Sequence, residues 1–168
     1  MKEAAALEID AEQVALIGES GGACIVLGVA QMLVASGQQH LVKMMVLEWP
    51  MVGATLTGGV TPDWTSYELG TRDQDVVYGY MSTDLERQRN DPLIYPIKMS
   101  DEVIKQLPRA FILTSEFDFY RRDSSKIAAR FHKLGRLIDF VVLPGLNHAS
   151  PLIFPSKSKY HANYWNAL

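Results

Sequence analysis

Three residues of this 168-residue chain stand where side chains of their type can do acyl-transfer chemistry: Ser20, Asp118 and His148. Ser20 lies in Val14-Ala15-Leu16-Ile17-Gly18-Glu19-Ser20-Gly21-Gly22-Ala23, where a short apolar run meets G-x-S-x-G (Gly18, Ser20, Gly22). The apolar run reads as a buried strand, and the unbroken run Ala23 to Ala30 reads as a helix. Strand, sharp turn and helix with serine at the apex make a nucleophile elbow. Such a serine sits on strained backbone, and glycine two residues to either side removes side chains that would collide there. The backbone N–H of Gly21 then points to where an oxyanion would form, making it the candidate oxyanion-hole donor. A chance G-x-S-x-G arises in a chain this long about once in twenty sequences, so a Gly/Ser turn without chemistry is the competing reading.

A serine hydroxyl is a weak nucleophile until a base takes its proton, and imidazole is the side chain suited to that near neutrality. A carboxylate holds the imidazole in the useful tautomer and stabilises its charged form. Asp118 follows a predicted strand, Ala110 to Ser115, and His148 follows another, Asp139 to Leu143, through Pro144-Gly145. Glu116 and Asp123 are rival acids, and Asp118 also reads as a turn residue or a partner of Arg121 or Arg122. His148 also reads as a surface-loop histidine. His132 falls in a helix, His40 precedes a strand and His161 sits in the tail, so only His148 follows a strand by a turn. Glu19 is left without a role.

The elements that must position these groups follow from periodicity and breakers. Residues 3–8 read as helix, 9–12 as a turn, and 13–17 as the elbow strand. The elbow helix runs from Gly21 to Ala35, apolar all round and so expected to be buried on most faces. Ser36-Gly37 ends it, and Leu41 to Leu47 is a second strand that Glu48-Trp49-Pro50 breaks. Residues 50–96 read as an insertion between strands with a weak helix at 73–82, its aromatics Trp64, Tyr67, Tyr78 and Tyr80 needing burial. Short helix follows at 101–106, amphipathic helix at 124–134 capped by Gly135, and a last helix at 157–167. Strands separated by helices imply crossover connections and a mostly parallel sheet flanked by helices, an α/β fold. Reactive groups gather beyond the carboxyl ends of such strands.

Composition narrows the classes. The length and a hydrophobic content of 48% suit one domain with a real core. A net charge of −3 carries no basic footprint for nucleic acid. The longest apolar run, eight residues, is too short to span a bilayer. The single cysteine, Cys24, excludes an intramolecular disulfide and fits a reducing, cytoplasmic compartment; its place in the apolar helix makes it core packing. The Ala-rich start lacks the long apolar stretch of a signal peptide.

At these residues the chain resembles the hormone-sensitive-lipase-like branch of the α/β-hydrolases. Residues 9–22 are similar to that family's run into its G-D-S-A-G-G elbow, and Thr114-Ser115-Glu116-Phe117-Asp118 with Arg121 to its T-A-E-x-D-P-L-R segment. Pro144-Gly145 leading to His148 is similar to its final G…H, and Asp91-Pro92 with Pro96 to its D-P-x-x-S-P connection, with Tyr95 for serine. Glu19 and Gly21 stand for the family's Asp and Ala, and Phe119-Tyr120 for its Pro-Leu. The resemblance implies a serine esterase acting on small carboxylic esters without metal or organic cofactor, with Ser20, Asp118 and His148 catalytic and Gly21 in the oxyanion hole. It also implies that residues 1–168 correspond to the C-terminal portion of the catalytic domain, with 50–96 cap-like. The family's first half, including its H-G-G-G oxyanion loop, has no counterpart here. The elbow strand would then present an open edge, to be covered by a missing N-terminal segment or by a second copy of the chain. The alternative expectation is an impaired fragment or a non-enzymatic ligand-binding member of the same scaffold.

Overall fold

The computed structural model describes residues 4, 6–8, 10–53 and 90–153. Among these, four strands form one parallel sheet in the order β1 (Ala15–Glu19), β2 (Met44–Glu48), β3 (Arg109–Ser115) and β4 (Leu137–Leu143). Four helices accompany them: α1 (Gly21–Ala35), α2 (Asp101–Ile104), α3 (Arg121–Lys133) and α4 (Ser150–Ile153).

Side chains alternate across a sheet, so each strand serves two faces. On one face Met45, Leu47, Ala110 and Ile112 meet Ala23, Val26, Leu27 and Ala30 of α1 and Ile127, Ala128 and Phe131 of α3. Burying each large aliphatic or aromatic group there is worth about 1.5–3 kcal/mol, which makes this layer the main source of cohesion. On the other face Trp49, Leu113, Leu143 and Leu146 form a smaller cluster beneath the site described below.

The segment before α2 is laced across the helices that cover the larger core. Gln31 Nε2 donates to the carbonyl of Pro92 at 2.9 Å, and the Cys24 thiol donates to that of Ile94 at 3.3 Å. Arg130 donates to the carbonyls of Ile97 and Met99 and pairs with Asp101 at 2.6 Å. Both long helices end as their glycines dictate. Gly37 and Gly135 take φ of +69°, and the residue after each donates back to close a Schellman turn, at 2.7 Å onto Leu33 and Phe131.

Several boundaries differ from the sequence expectation. Residues 6–8 are a turn rather than helix, since so short a segment cannot nucleate one without packing. β1 continues through Gly18 and Glu19, because its parallel register with β2 runs on to Glu19 opposite Glu48. β2 starts later than predicted, after a single 3₁₀ turn at Gln39–Leu41. α3 begins at Arg121 rather than Ser124, as the turn at Asp118 already sets the chain on a helical path. α1 is buried or half-buried on most faces, as expected, but leaves one stripe exposed: Ile25 is 69% and Met32 63% exposed, with Val29 between them. β1 is the outer strand among the described residues, and its Ile17 is 68% exposed. The helices expected at 73–82 and 157–167, most of the 50–96 insertion and the aromatics named within it lie outside the described residues.

Candidate active site

The ladder of backbone hydrogen bonds does not stop where the strands do. Ser20 N–H donates to the carbonyl of Glu48, Trp49 N–H to Leu113, Glu116 N–H to Leu143 and Phe117 N–H to Leu146, over 2.7–2.9 Å. The turns that leave all four strands are thereby aligned along one rim, the place where a parallel sheet collects its reactive groups.

Ser20 sits between β1 and α1 with φ of +50°, a left-handed conformation strained for any residue but glycine. Its carbonyl accepts from Met51 N–H and Ala23 N–H, both at 3.2 Å, which holds the turn. The two motif glycines have different reasons to be there. A Cβ on Gly18 would lie 2.5 Å from the Gly22 carbonyl carbon and 2.8 Å from the Ala23 nitrogen, so strand and helix start can meet this closely only without it. A Cβ on Gly22 would touch nothing within 4 Å, so the expected crowding applies to Gly18 alone. Gly21 opens α1, where its N–H has no intrahelical acceptor.

From the far end of the sheet, His148 reaches back across the rim. Its Nε2 lies 2.9 Å from Oγ of Ser20 and its Nδ1 3.0 Å from Oδ1 of Asp118, groups 128 and 30 residues away in the chain. The Asp118 side chain is 0% exposed and that of His148 16%. Asp118 Oδ2 accepts from the Thr114 hydroxyl at 2.9 Å, and Oδ1 also accepts from Tyr120 N–H at 2.8 Å. A carboxylate surrounded by donors acts as acceptor, so the proton of the imidazole belongs on Nδ1 and Nε2 is free to accept from Ser20. Serine, imidazole and carboxylate expected at strand ends are thus joined in one hydrogen-bonded series.

The rival groups are engaged elsewhere. Glu116 accepts from Gly145 N–H at 2.8 Å and ties down the loop that leads to His148, while Arg121 turns onto the Glu116 carbonyl at 2.7 Å. Asp123 is buried against Gly53 and lies 3.3 Å from the Lys126 ammonium. Burial pushes its carboxyl above the usual range, and the Lys126 charge opposes that only in part. Burial likewise pushes the Cys24 thiol up to about 11, which makes it an inert core group, as expected. His40 and His132 are exposed on the 3₁₀ turn and at the end of α3, and His161 lies outside the described residues. Among the described residues, no cluster of three metal-ligating side chains exists, and no helix is long and apolar enough to cross a membrane.

Sequence reasoning missed the aromatic surround of the imidazole. Phe119 lies against it at 4.7 Å with 31° between ring planes. Tyr120 at 5.3 Å and Trp49 at 6.4 Å approach in edge geometry. Trp49 takes φ of +45°, and its indole N–H donates to Ser115 Oγ at 2.7 Å in the sheet interior. The strand-end rule carries a signal for Trp49, which directly follows β2. Thr114, expected only as part of the strand, lies one helical turn before Asp118, a spacing without meaning until the chain turns.

Comparison with known proteins agrees with this architecture. A family model described as alpha/beta hydrolase fold matches residues 1–152. No curated protein sequence matches the chain. Among solved structures, a thermostable esterase from Pseudomonas putida is similar with a TM-score of 0.81 at 21% identity, over 99% of this chain and 52% of that one. Carboxyl esterase 2 from the mycorrhizal fungus Tuber melanosporum gives 0.77 at 21% identity, over 96% and 54%. A fungal esterase structure from Rhizomucor miehei gives 0.76 at 22% identity, over 98% and 52%. The chain therefore spans about half the length of these solved structures. Its parallel sheet, its helices and the family match over residues 1–152 establish that the chain belongs to the α/β-hydrolase fold family, on the hormone-sensitive-lipase-like branch.

Proposed function

We propose that the protein is a serine esterase that cleaves small carboxylic esters through an acyl-serine intermediate. The observation that carries this reading is the series Ser20 Oγ, His148 and Asp118, linked at 2.9 and 3.0 Å on one rim of the sheet. His148 Nε2 takes the hydroxyl proton as Ser20 Oγ bonds to the ester carbonyl carbon. The carbonyl oxygen becomes an oxyanion facing the Gly21 N–H at the start of α1. Collapse breaks the bond to the alcohol oxygen, and the imidazolium returns its proton to that leaving oxygen. Water then repeats the sequence on the acyl-serine, with the same imidazole as base, releasing the carboxylic acid and restoring Ser20. Asp118 keeps the ring in the required tautomer and faces the positive charge that forms on it. In this reading the chain acts as the C-terminal portion of the catalytic domain, with residues 50–96 shaping the pocket as a cap-like insertion.

p-Nitrophenyl acetate turnover and labelling by a fluorophosphonate probe test the proposal. Both should be lost in Ser20→Ala, and His148→Ala should slow both by about a thousandfold or more. Turnover unchanged in Ser20→Ala would remove the serine from the mechanism.

A further inference from the structure

We infer that Phe119 is a positioning residue for His148, its ring supplying the restraint on the imidazole that the two hydrogen bonds leave open. The inference rests on the esterase reading of Ser20, His148 and Asp118. The N–H and the lone pair of the imidazole nitrogens point in the ring plane, and the two hydrogen bonds use them, one at Nδ1 and one at Nε2. They fix two points of the ring but resist poorly its roll about the line joining them. A neighbour inclined only moderately to the ring opposes that motion better than one on edge, and Phe119, with centroids 4.7 Å apart and planes tilted by 31°, meets the ring in that way. Tyr120 and Trp49, at 68° and 65°, touch it in edge geometry and resist sliding instead.

The placement of Phe119 is itself coupled to the acid. Tyr120 N–H donates to Oδ1 of Asp118 at 2.8 Å, closing an Asx turn with Phe119 as its middle residue. The oxygen that faces Nδ1 of His148 therefore also sets the turn from which the aromatic ring projects. Tyr120 packs beside the Phe119 ring, 4.4 Å away and tilted by 59°, while also meeting the imidazole. A π face against the imidazole also favours the cation that forms when the ring takes the Ser20 proton. An aliphatic side chain of similar size would fill the space and supply neither the flat face nor the π density.

The test uses the full chain with Phe119→Leu, Phe119→Met and Phe119→Tyr. Leucine and methionine should lower kcat for p-nitrophenyl acetate and the fluorophosphonate labelling rate by about three- to tenfold, with KM held within about twofold, and tyrosine should restore both. The NMR signals of the His148 ring protons should lose their upfield ring-current shift in the leucine and methionine variants and regain it with tyrosine. Wild-type rates in the leucine and methionine variants, or an equal loss with tyrosine, would overturn the inference. Failure of the underlying reading shows separately, as equal turnover in wild type and Ser20→Ala. In that event His148 ring signals unchanged by Phe119→Leu would still refute the restraint.

Discussion

The hydroxyl of Thr114 donates to Oδ2 of Asp118 at 2.9 Å, within a pocket where both groups are buried. It satisfies the carboxylate oxygen that His148 does not face. Thr114→Val keeps the shape and removes the donor, leaving a buried carboxylate oxygen short of a partner. Urea denaturation should show a loss of about 1–3 kcal/mol, and Thr114→Ser should recover most of it. Equal stability of the valine variant and wild type would mean that water takes over the contact.

Gly18 and Gly22 should part company on substitution. Gly18→Ala forces a Cβ into the backbone of Gly22 and Ala23, and should cost about 1–3 kcal/mol or more together with probe labelling at Ser20. Gly22→Ala meets open space inside a helix and should be neutral or stabilising by up to about 1 kcal/mol. Thermal unfolding of the two variants side by side checks the contrast.

The loop that carries His148 is held by Glu116 through the Gly145 N–H. Glu116→Ala frees that loop at a partly exposed position, so stability should fall by only about 0.5–1 kcal/mol. kcat should fall by more than that loss in global stability implies, because the imidazole depends on the loop for its reach to Ser20. Steady-state kinetics with p-nitrophenyl acetate, set beside denaturation curves, separates the two effects.

Asp123 makes a prediction about pH. Its carboxyl is raised in the folded protein above the ordinary 3.8, chiefly by burial and despite Lys126. The folded state thus binds the proton more tightly than the unfolded chain, and the ionised carboxylate costs stability at neutral pH. That cost is relieved as the pH falls through the raised value toward 3.8. The stability difference between wild type and Asp123→Asn should therefore move in favour of wild type on acidification from neutral pH, read as Tm against pH. A difference flat across that window would show that the carboxyl is not perturbed.

The contrast between Asp118 and its neighbours shows where local reading ends. The order of Ser20, Asp118 and His148, each just past a strand, was legible because strand ends, glycine turns and apolar runs are local signals. Gly37 and Gly135 announced their helix ends for the same reason. The exposed stripe of Ile25, Val29 and Met32 was not legible, because a run of apolar residues does not say which face finds a partner.

Local sequence determined the alternation of strands and helices, the serine turn that Gly18 makes possible and the residue types able to move a proton. Local pattern leaves Glu116, Asp118 and Asp123 as rival acids, among which the family resemblance favours Asp118. The tertiary structure turns Asp118 to the imidazole and the other two elsewhere, through where the turn after β3 points them. It also decided that Trp49, Phe119 and Tyr120 enclose His148, because those contacts join segments from three different strand ends. Backbone preferences act over a few residues, whereas a site on the rim of a parallel sheet is assembled from turns that only the sheet's own hydrogen bonding brings into line.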